Sequence, residues 1–503
     1  MGDTGQRSGT AGLTSPDGSL RCLRGTEGAQ LARDVAPHRQ LARVEEKDSM
    51  LDFSIYVILG LLGVMLLLGM VIRPVFAAVA VVSFAFVSPY ALPIPLEVGA
   101  LHFRCIDIVS GILACIVLMQ FAVQRDLTVL QELKAFYVPL MPFFLYIGMS
   151  LANVGFTQPN ALTTSLVSYI RLINTALLAP LLYLSVKNKN DLRIFHTSLV
   201  LFGLVSVIGS ALEGQHTQGV DAIALNAERI SSSFLSINTF GLVSGLLVVY
   251  ALIKGGGKFW ALYRIIPLAG GLIGLFFAKS ASSAMATAGA SALYLSTMRA
   301  RSGSTVKWMR WTLVGTALLV VTALAVRTWR QNDTVGLANV SSGSFAHRFM
   351  IAHAGLWIFL DHPFIGVGWQ ASVTEAFLHS PVLNAALMQK FPELPKTYFL
   401  EGASQLHNMY IHILAELGIV GFGLFIYACL HIGKAVIGLL RSLHYGSPYN
   451  AWAQFYALGL VVLLIWWNNS PLYGGQTESY LAFIFLAALA TVARLEKSER
   501  QQG

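Results

Sequence analysis

Three cationic side chains and one imidazole stand where they could act on a phosphorylated substrate. Arg229 precedes an apolar segment, Lys279 interrupts an otherwise apolar region, and Arg348 begins an amphipathic run. His407 stands immediately before another apolar segment. Arginine binds phosphate through two parallel hydrogen bonds and lysine binds it as a point charge, so converging cations suit a diphosphate. An imidazole exchanges protons near neutral pH, which suits general base catalysis.

The same residues also have structural interpretations. An arginine at the start of a helix is often an interfacial anchor, and a histidine there is often a cap. Lys279 differs, because a cation inside an apolar region is costly unless it meets water or an anion, and Ser280 adds a hydroxyl beside it. Gly366 and Gly368 permit a sharp turn and a close backbone approach to a ligand.

The elements that must position these residues are apolar segments of membrane-spanning length. The 503-residue chain is 55% hydrophobic and 12% charged, which gives it more apolar surface than a soluble core buries. A spanning helix needs about 20 mostly apolar residues. Such segments lie at 53–72, 75–93, 105–123, 135–153, 166–186, 192–212, 234–254, 259–278, 281–298, 311–328, 409–431, 452–468 and 477–494. These thirteen become twelve if the pair joined at Arg73-Pro74 is one kinked or re-entrant element.

Basic residues predict the orientation, because Lys and Arg in short loops stay on the cytoplasmic side. The basic connections are 125–134, 187–193, 254–264, 299–310, 434–441 and the tail from Arg494. The alternating connections, and with them all four candidate residues, are then external. The net charge of +9 therefore reports topology, and no nucleic-acid partner is expected.

The longest external connection runs from about Thr328 to Asn408, and loops of that length usually have a function. Its segment His347–Leu360 places apolar residues at helical spacing, which predicts a helix near the membrane surface. The apolar residues of that run are Phe349, Ala352, Leu356 and Phe359.

Residues 1–49 are polar and contain no apolar run that could form a signal-peptide core. They are predicted to be disordered, and Met50 is an alternative start of the chain. The four cysteines show no paired spacing, so neither a disulfide, a metal site nor a cofactor is expected.

Three segments between residues 229 and 425 carry motifs. Arg229–Asn238 is similar to Arg-x-x-Gly-x-Phe-x-x-Pro-Asn, and Arg348–Gly368 contains an Arg, Trp, Pro and Gly-x-Gly run. His407–Gly421 is similar to a His-Asn-x-Tyr signature that continues to Glu-x-Gly, two hydrophobic residues and Gly. Together these segments resemble the superfamily of bacterial O-antigen ligases and O-antigen polymerases. Two positions differ: Lys279-Ser280 replaces the family's Ser-Arg pair, and serine replaces glycine near Ser232.

The resemblance implies an all-α polytopic membrane protein with about 12–13 transmembrane helices and one long periplasmic loop containing short helices. It implies metal-independent, inverting transfer of a polyprenyl-diphosphate-linked glycan to a sugar hydroxyl. The implied catalytic residues are His407, Arg229 and Arg348. The implied substrate-binding residues are Lys279, Ser280, Asn238, Gly366, Gly368, Asn408 and Tyr410.

The expected setting is the bacterial inner membrane, with the active site on the periplasmic side. The expected partners are the lipid-linked glycan donor, a glycan or lipid A-core acceptor, the bilayer and other polysaccharide-assembly proteins of the membrane. The domains are 1–49 (polar segment), 50–328 (transmembrane bundle), 329–408 (periplasmic loop), 409–495 (last transmembrane helices) and 496–503 (cytoplasmic tail).

Two alternatives remain open on the residues. Ligases and polymerases of O-antigen or exopolysaccharide share these motifs. A transporter or flippase for lipid-linked glycan is the alternative of another class, although the sequence shows no matching halves of the kind that many transporters have.

Overall fold

Helices dominate the structure, as expected where the backbone must satisfy its own hydrogen bonds in lipid. The computed structural model describes residues 73–86, 97–98, 101–102, 106, 109–115, 119, 131–213, 235, 237–253, 260–278, 280–299, 340–373, 381–390, 406–444, 447–472, 474 and 476–502. These residues all belong to one compact unit, Leu66–Gly503.

The helices are numbered in chain order. They are α1 (Pro74–Ala85), α2 (Gln131–Tyr137), α3 (Met141–Thr157), α4 (Leu162–Ser185), α5 (Lys189–Glu213), α6 (Ile237–Leu252), α7 (Trp260–Ala278), α8 (Ala281–Arg299), α9 (Val340–Asp361), α10 (Pro381–Lys390), α11 (Met409–Ser442), α12 (Pro448–Trp466) and α13 (Thr477–Gln502). Short 3-10 turns add Val138–Leu140, Pro159–Ala161, Ala371–Val373 and Trp467–Asn469. The strands of the described residues are one short antiparallel pair, β1 (Glu97–Val98) with β2 (Leu101–His102).

Six helical stretches of the described residues are long and apolar enough to span a membrane. They are Gln131–Thr157, Pro159–Ser185, Lys189–Glu213, Met409–Ser442, Pro448–Asn469 and Thr477–Gln501. Shorter apolar helices occur in α1, α6, α7 and α9. The predicted all-α, polytopic class is therefore confirmed. The predicted spans 53–72 and 311–328 lie outside the described residues, so the number of spans stays a prediction.

Several basic connections predicted from the sequence are wholly or partly helical in the described residues. Lys434 and Arg441 lie within α11, and α5 already begins at Lys189. With 34 residues, α11 exceeds the about 20 residues that a helix needs to span a bilayer core. Hydropathy marks where the apolar part of the sequence ends, whereas the helix continues past that point to Ser442.

The centre of the bundle is formed by α12 and α13. Tyr456, Trp466 and Phe485 have no exposed surface. Apolar side chains of the outer helices are exposed, for example Met149 at 72%, as expected for contact with lipid. Glycines allow α6 and α7 to approach closely, since a Cβ atom on Gly274 would lie 2.2 Å from Ser244 Oγ. Small residues at such crossings are typical of membrane helices.

Candidate active site

His407 is half-buried and directly precedes α11. The next residue, Asn408, has extended backbone angles and caps the helix. Its Oδ1 accepts hydrogen bonds from the backbone N–H groups of Tyr410 and Ile411, at 3.0 and 3.1 Å. Side-chain capping of this kind satisfies donors that have no partner within the helix. The imidazole is therefore attached to a fixed helix start.

The start of α11 is tied to the end of α12 by two hydrogen bonds. Asn408 Nδ2 donates to Asn468 Oδ1, and the Tyr410 hydroxyl donates to the carbonyl of Leu464. Both predicted substrate-binding side chains thus have structural partners, which gives them a positioning role. Direct contact of Asn408 or Tyr410 with substrate stays a prediction.

The short connection between α7 and α8, which contains Ser280 and is called the α7–α8 step below, lies at this same end of α12. Ser280 Oγ accepts hydrogen bonds from the backbone N–H and the hydroxyl of Ser283, at 3.3 and 3.0 Å. Ser283 Oγ in turn accepts a hydrogen bond from Trp466 Nε1 at 3.2 Å. Since Trp466 is the last residue of α12, the structure brings Ser280 and His407 to one end of the bundle.

Helix α9 carries Arg348 and runs parallel to the first part of α11. A Cβ atom on Gly355 would lie 2.5 Å from the Ile411 side chain and 3.2 Å from that of Leu406. Beyond the end of α9, Pro363 O accepts a hydrogen bond from Ile419 N at 2.8 Å. Arg348 precedes Gly355 by two turns, about 10 Å. Its backbone therefore lies toward the His407 end.

The face of α9 that is buried in the protein is not the apolar face predicted to lie near the membrane surface. Met350, Ala354 and Ile358 are at most 2% exposed, whereas Leu356, which belongs to the predicted apolar face, is 42% exposed. The side chains of α9 that pack in the protein, toward α11, lie on a different face of the same helix. The exposed stripe is itself apolar and continues to Leu360, 73% exposed. Its contact with the bilayer surface stays a prediction.

Helix α11 is broken at Gly418, where φ is 64°. The backbone on either side of the break bonds to the segment that follows α9. The bonds are Val367 N to Ala415 O at 3.1 Å, Gly368 N to Glu416 O at 2.8 Å, Ile419 N to Pro363 O at 2.8 Å and Val420 N to Phe364 O at 3.3 Å. Broken helices are tolerated at membrane depth only when other groups supply such bonds.

The two glycines of the Gly-x-Gly turn approach protein backbone. A Cβ atom on Gly366 would lie 2.3 Å from Glu416 O, and one on Gly368 would lie 2.4 Å from the Val154 side chain. Both glycines have positive φ angles, 67° and 101°. The sequence analysis explained these two glycines by the close approach of a ligand. In the structure, other parts of the protein pack closely against them instead. Substrate contact at these positions stays a prediction.

A buried polar network lies beneath this turn. Glu416 accepts hydrogen bonds from Gln370 N at 2.7 Å and from Ser372 Oγ at 2.5 Å, and its Oε2 lies 3.0 Å from His412 Nε2. The side chains of Glu416 and His412 have no exposed surface. Trp369 also belongs to this segment, and its N and Nε1 donate to Ser150 Oγ and Ser168 Oγ, both at 3.2 Å. The segment 363–372 is thereby fixed to α3, α4 and α11.

Sequence reasoning assigned no role to Glu416 and overlooked Arg171 and Glu478. The signal was present, because an ionisable residue inside an apolar window is costly and usually has a function. Arg171 lies within the apolar stretch Pro159–Ser185. Gly474 lies against it, since a Cβ atom there would lie 2.3 Å from the Arg171 carbonyl carbon. Glu478, at 1% exposure, is in the first turn of α13.

The side chains of four predicted site residues lie outside the part of the chain that the structure describes. Arg229 and Lys279 lie outside the described residues. Arg348 and Asn238 have described backbones, in α9 and α6, whereas their side chains lie outside the described part. Their contact with substrate stays a prediction.

Residues 266–426 match the family model of O-antigen ligase, Wzy_C. The match supports membership of the O-antigen ligase superfamily and confirms the resemblance seen in the motifs. The matched segment runs from α7 into α11 and contains the α7–α8 step, α9, the Gly-x-Gly turn, His407 and the break at Gly418. In general terms the match supports an O-antigen ligase-like membrane glycosyltransferase. The search of curated proteins gives no match.

Proposed function

We propose that this protein is an O-antigen ligase-like glycosyltransferase of the bacterial inner membrane. It moves a glycan from polyprenyl diphosphate to an acceptor sugar hydroxyl at the periplasmic face. The observation that carries the proposal is that His407 and Ser280 lie at the same end of the helix bundle. Asn408 is hydrogen-bonded to the turn after α12, and the α7–α8 step is linked to Trp466 at the end of that helix.

In the proposed reaction the acceptor hydroxyl attacks the anomeric carbon opposite the diphosphate. The new carbon–oxygen bond forms as the bond to the diphosphate breaks, so the anomeric centre is inverted. His407 takes up the proton of the hydroxyl. Arg229, Arg348 and Lys279 stabilise the negative charge that develops on the leaving lipid diphosphate, in place of a metal ion.

The charged residues of the opposite helix ends support a periplasmic site. Lys189 pairs with Glu499 at 3.4 Å, and Lys497 pairs with Glu132 at 2.8 Å. These pairs join the starts of α2 and α5 to the end of α13, which is the end remote from Glu478. Basic residues favour the cytoplasmic side, which supports a periplasmic position for the His407 end.

The break in α11 favours one competing function, because transporters often bind substrates at the ends of broken helices. In those proteins the helix ends are open to the ligand. Here Ala415 O, Glu416 O, Ile419 N and Val420 N are all hydrogen-bonded to residues 363–368. With the ends filled by protein backbone, the break serves to anchor a segment rather than to hold an ion.

The decisive experiment compares His407→Ala with the wild type. The host's deletion strain supplies both substrates: its lipid-linked glycan fraction as donor and its O-antigen-free lipopolysaccharide as acceptor. Purified wild type in nanodiscs should transfer glycan, and His407→Ala should not, at equal amounts of inserted protein. His444→Ala is the matched control, because His444 is an exposed residue just beyond the far end of α11. Equal activity of His407→Ala and wild type would refute the proposal.

The products of the deletion strain separate ligase from polymerase. A missing ligase leaves lipid-linked polymer that is not attached to lipopolysaccharide, whereas a missing polymerase leaves single-repeat products. A flippase would instead leave lipid-linked glycan on the cytoplasmic leaflet, and the purified protein would then show no transfer.

A further inference from the structure

Three polar atoms without a hydrogen-bond partner among the described residues cluster around the turn between α12 and α13. The described residues of this α12–α13 connection are 467–472, 474 and 476. The atoms are Trp467 Nε1, Asn469 Oδ1 and Glu478 Oε2. Their residues are 7%, 2% and 1% exposed. Buried polar atoms normally have partners, so two in this connection and a third at the start of the next helix call for an explanation.

The α12–α13 connection also enters the bundle. Gly474 lies against the α4 backbone, since a Cβ atom on it would lie 2.1 Å from Leu172 N. Leu172 is ten residues from the start of α4, about 15 Å along the helix. Irregular backbone at such depth in a membrane protein is found where it is enclosed by protein or lines a cavity for solvent or substrate.

The position of the α12–α13 connection relates it to His407. Asn468 lies between Trp467 and Asn469 and accepts the hydrogen bond from Asn408, the neighbour of His407. Ser470 donates to Glu478 Oε1 at 3.0 Å, which fixes the carboxyl group while leaving Oε2 unused. One donor and two acceptors therefore belong to a connection that is hydrogen-bonded to the start of α11, next to His407 in the chain.

We propose that Trp467, Asn469 and Glu478 form the subsite for the acceptor saccharide, an inference that rests on the proposed function. Sugar hydroxyls both donate and accept hydrogen bonds. They donate to Asn469 Oδ1 and Glu478 Oε2, and a sugar oxygen accepts from Trp467 Nε1. A carboxyl group is an unsuitable neighbour for a diphosphate, so this subsite takes the neutral acceptor rather than the phosphorylated end of the donor. The atoms are covered in this structure, so the saccharide reaches them only after the side chains of Trp467, Asn469 and Glu478 rearrange.

The test is a kinetic comparison in nanodiscs with the same two substrates as above. Glu478→Gln keeps the side-chain volume and an oxygen for Ser470, but it replaces the unused acceptor by a donor. We expect its KM for O-antigen-free lipopolysaccharide to rise about tenfold, the usual effect of one lost ligand hydrogen bond, with the donor KM and kcat unchanged. Thr491→Val is the control, because Thr491 is equally buried in α13 and its hydroxyl is bonded to Ala487 O at 2.8 Å.

A second pair of variants covers the case in which Glu478→Gln does not fold. Asn469→Leu removes the acceptor oxygen and Asn469→Asp keeps one, so the rise in acceptor KM should be confined to Asn469→Leu. An unchanged acceptor KM, or a rise in donor KM instead, would overturn the subsite. Both results are distinct from failure of the proposed function, in which His407→Ala transfers glycan like the wild type or the wild type transfers none.

Discussion

Gly366 and Glu416 touch through their backbones: a Cβ atom on Gly366 would lie 2.3 Å from the carbonyl carbon of Glu416. Gly366→Ala should therefore separate the segment 363–368 from α11, and the positive φ of 67° adds strain. We expect a lower Tm in detergent and weaker glycan transfer. Gly423→Ala is the control, because nothing lies within 4 Å of its added methyl group. Equal melting of Gly366→Ala and wild type would contradict this contact.

The carboxylate of Glu416 should be needed for its acceptor capacity. In Glu416→Gln one hydrogen-bond acceptor becomes an amide donor that faces Gln370 N or Ser372 Oγ. An unsatisfied buried group costs roughly 1–3 kcal/mol, so Tm should fall clearly. Glu132→Gln loses a pair with Lys497 whose side chains are 28% and 56% exposed, and such pairs contribute about 0–1 kcal/mol. Similar melting of the two variants would argue against the buried network.

Substitutions of Asn408 should separate helix capping from the contact with α12. Asn408→Ala removes both and should cost about 0.5–2 kcal/mol of stability from the cap alone. Asn408→Asp keeps the capping oxygen but cannot donate to Asn468 as the amide does. We expect Asn408→Asp to melt near the wild type and yet to transfer glycan more slowly, because the start of α11 beside His407 loses one of its two hydrogen bonds to α12. If the aspartate variant retained full activity, the contact would have no positioning role.

The orientation can be tested by cysteine labelling at the two ends of α4. Asn160 and Lys189 are exposed residues just outside this helix, on opposite sides. In a cysteine-free background, a membrane-impermeant thiol reagent added to cells with a permeabilised outer membrane should label Asn160→Cys. Lys189→Cys should react only after the inner membrane is opened, since basic ends face the cytoplasm. The reverse pattern would place His407 on the cytoplasmic side.

Hydropathy and motifs anticipated the all-α membrane fold and placed His407 at the start of a span. They did so because both depend on residues that are adjacent in the chain. The break at Gly418 was invisible to hydropathy, since Ile419 and Val420 continue the apolar run. Its partners, such as Pro363, lie more than fifty positions away, and no local pattern reports such pairing. The face of α9 that packs on α11 was not predicted for the same reason, because its partners in α11 are distant in the sequence.

The order of segments along the chain affects how the break in α11 can form during membrane insertion. Residues 363–368 are synthesised before the helix that they complete. When α11 enters the bilayer, the backbone groups at Ala415, Glu416, Ile419 and Val420 have no partner within the helix, and each such group is costly in lipid. Residues 363–368 must therefore already lie at that depth in the membrane. Insertion of α11 and docking of α9 are then coupled during biogenesis.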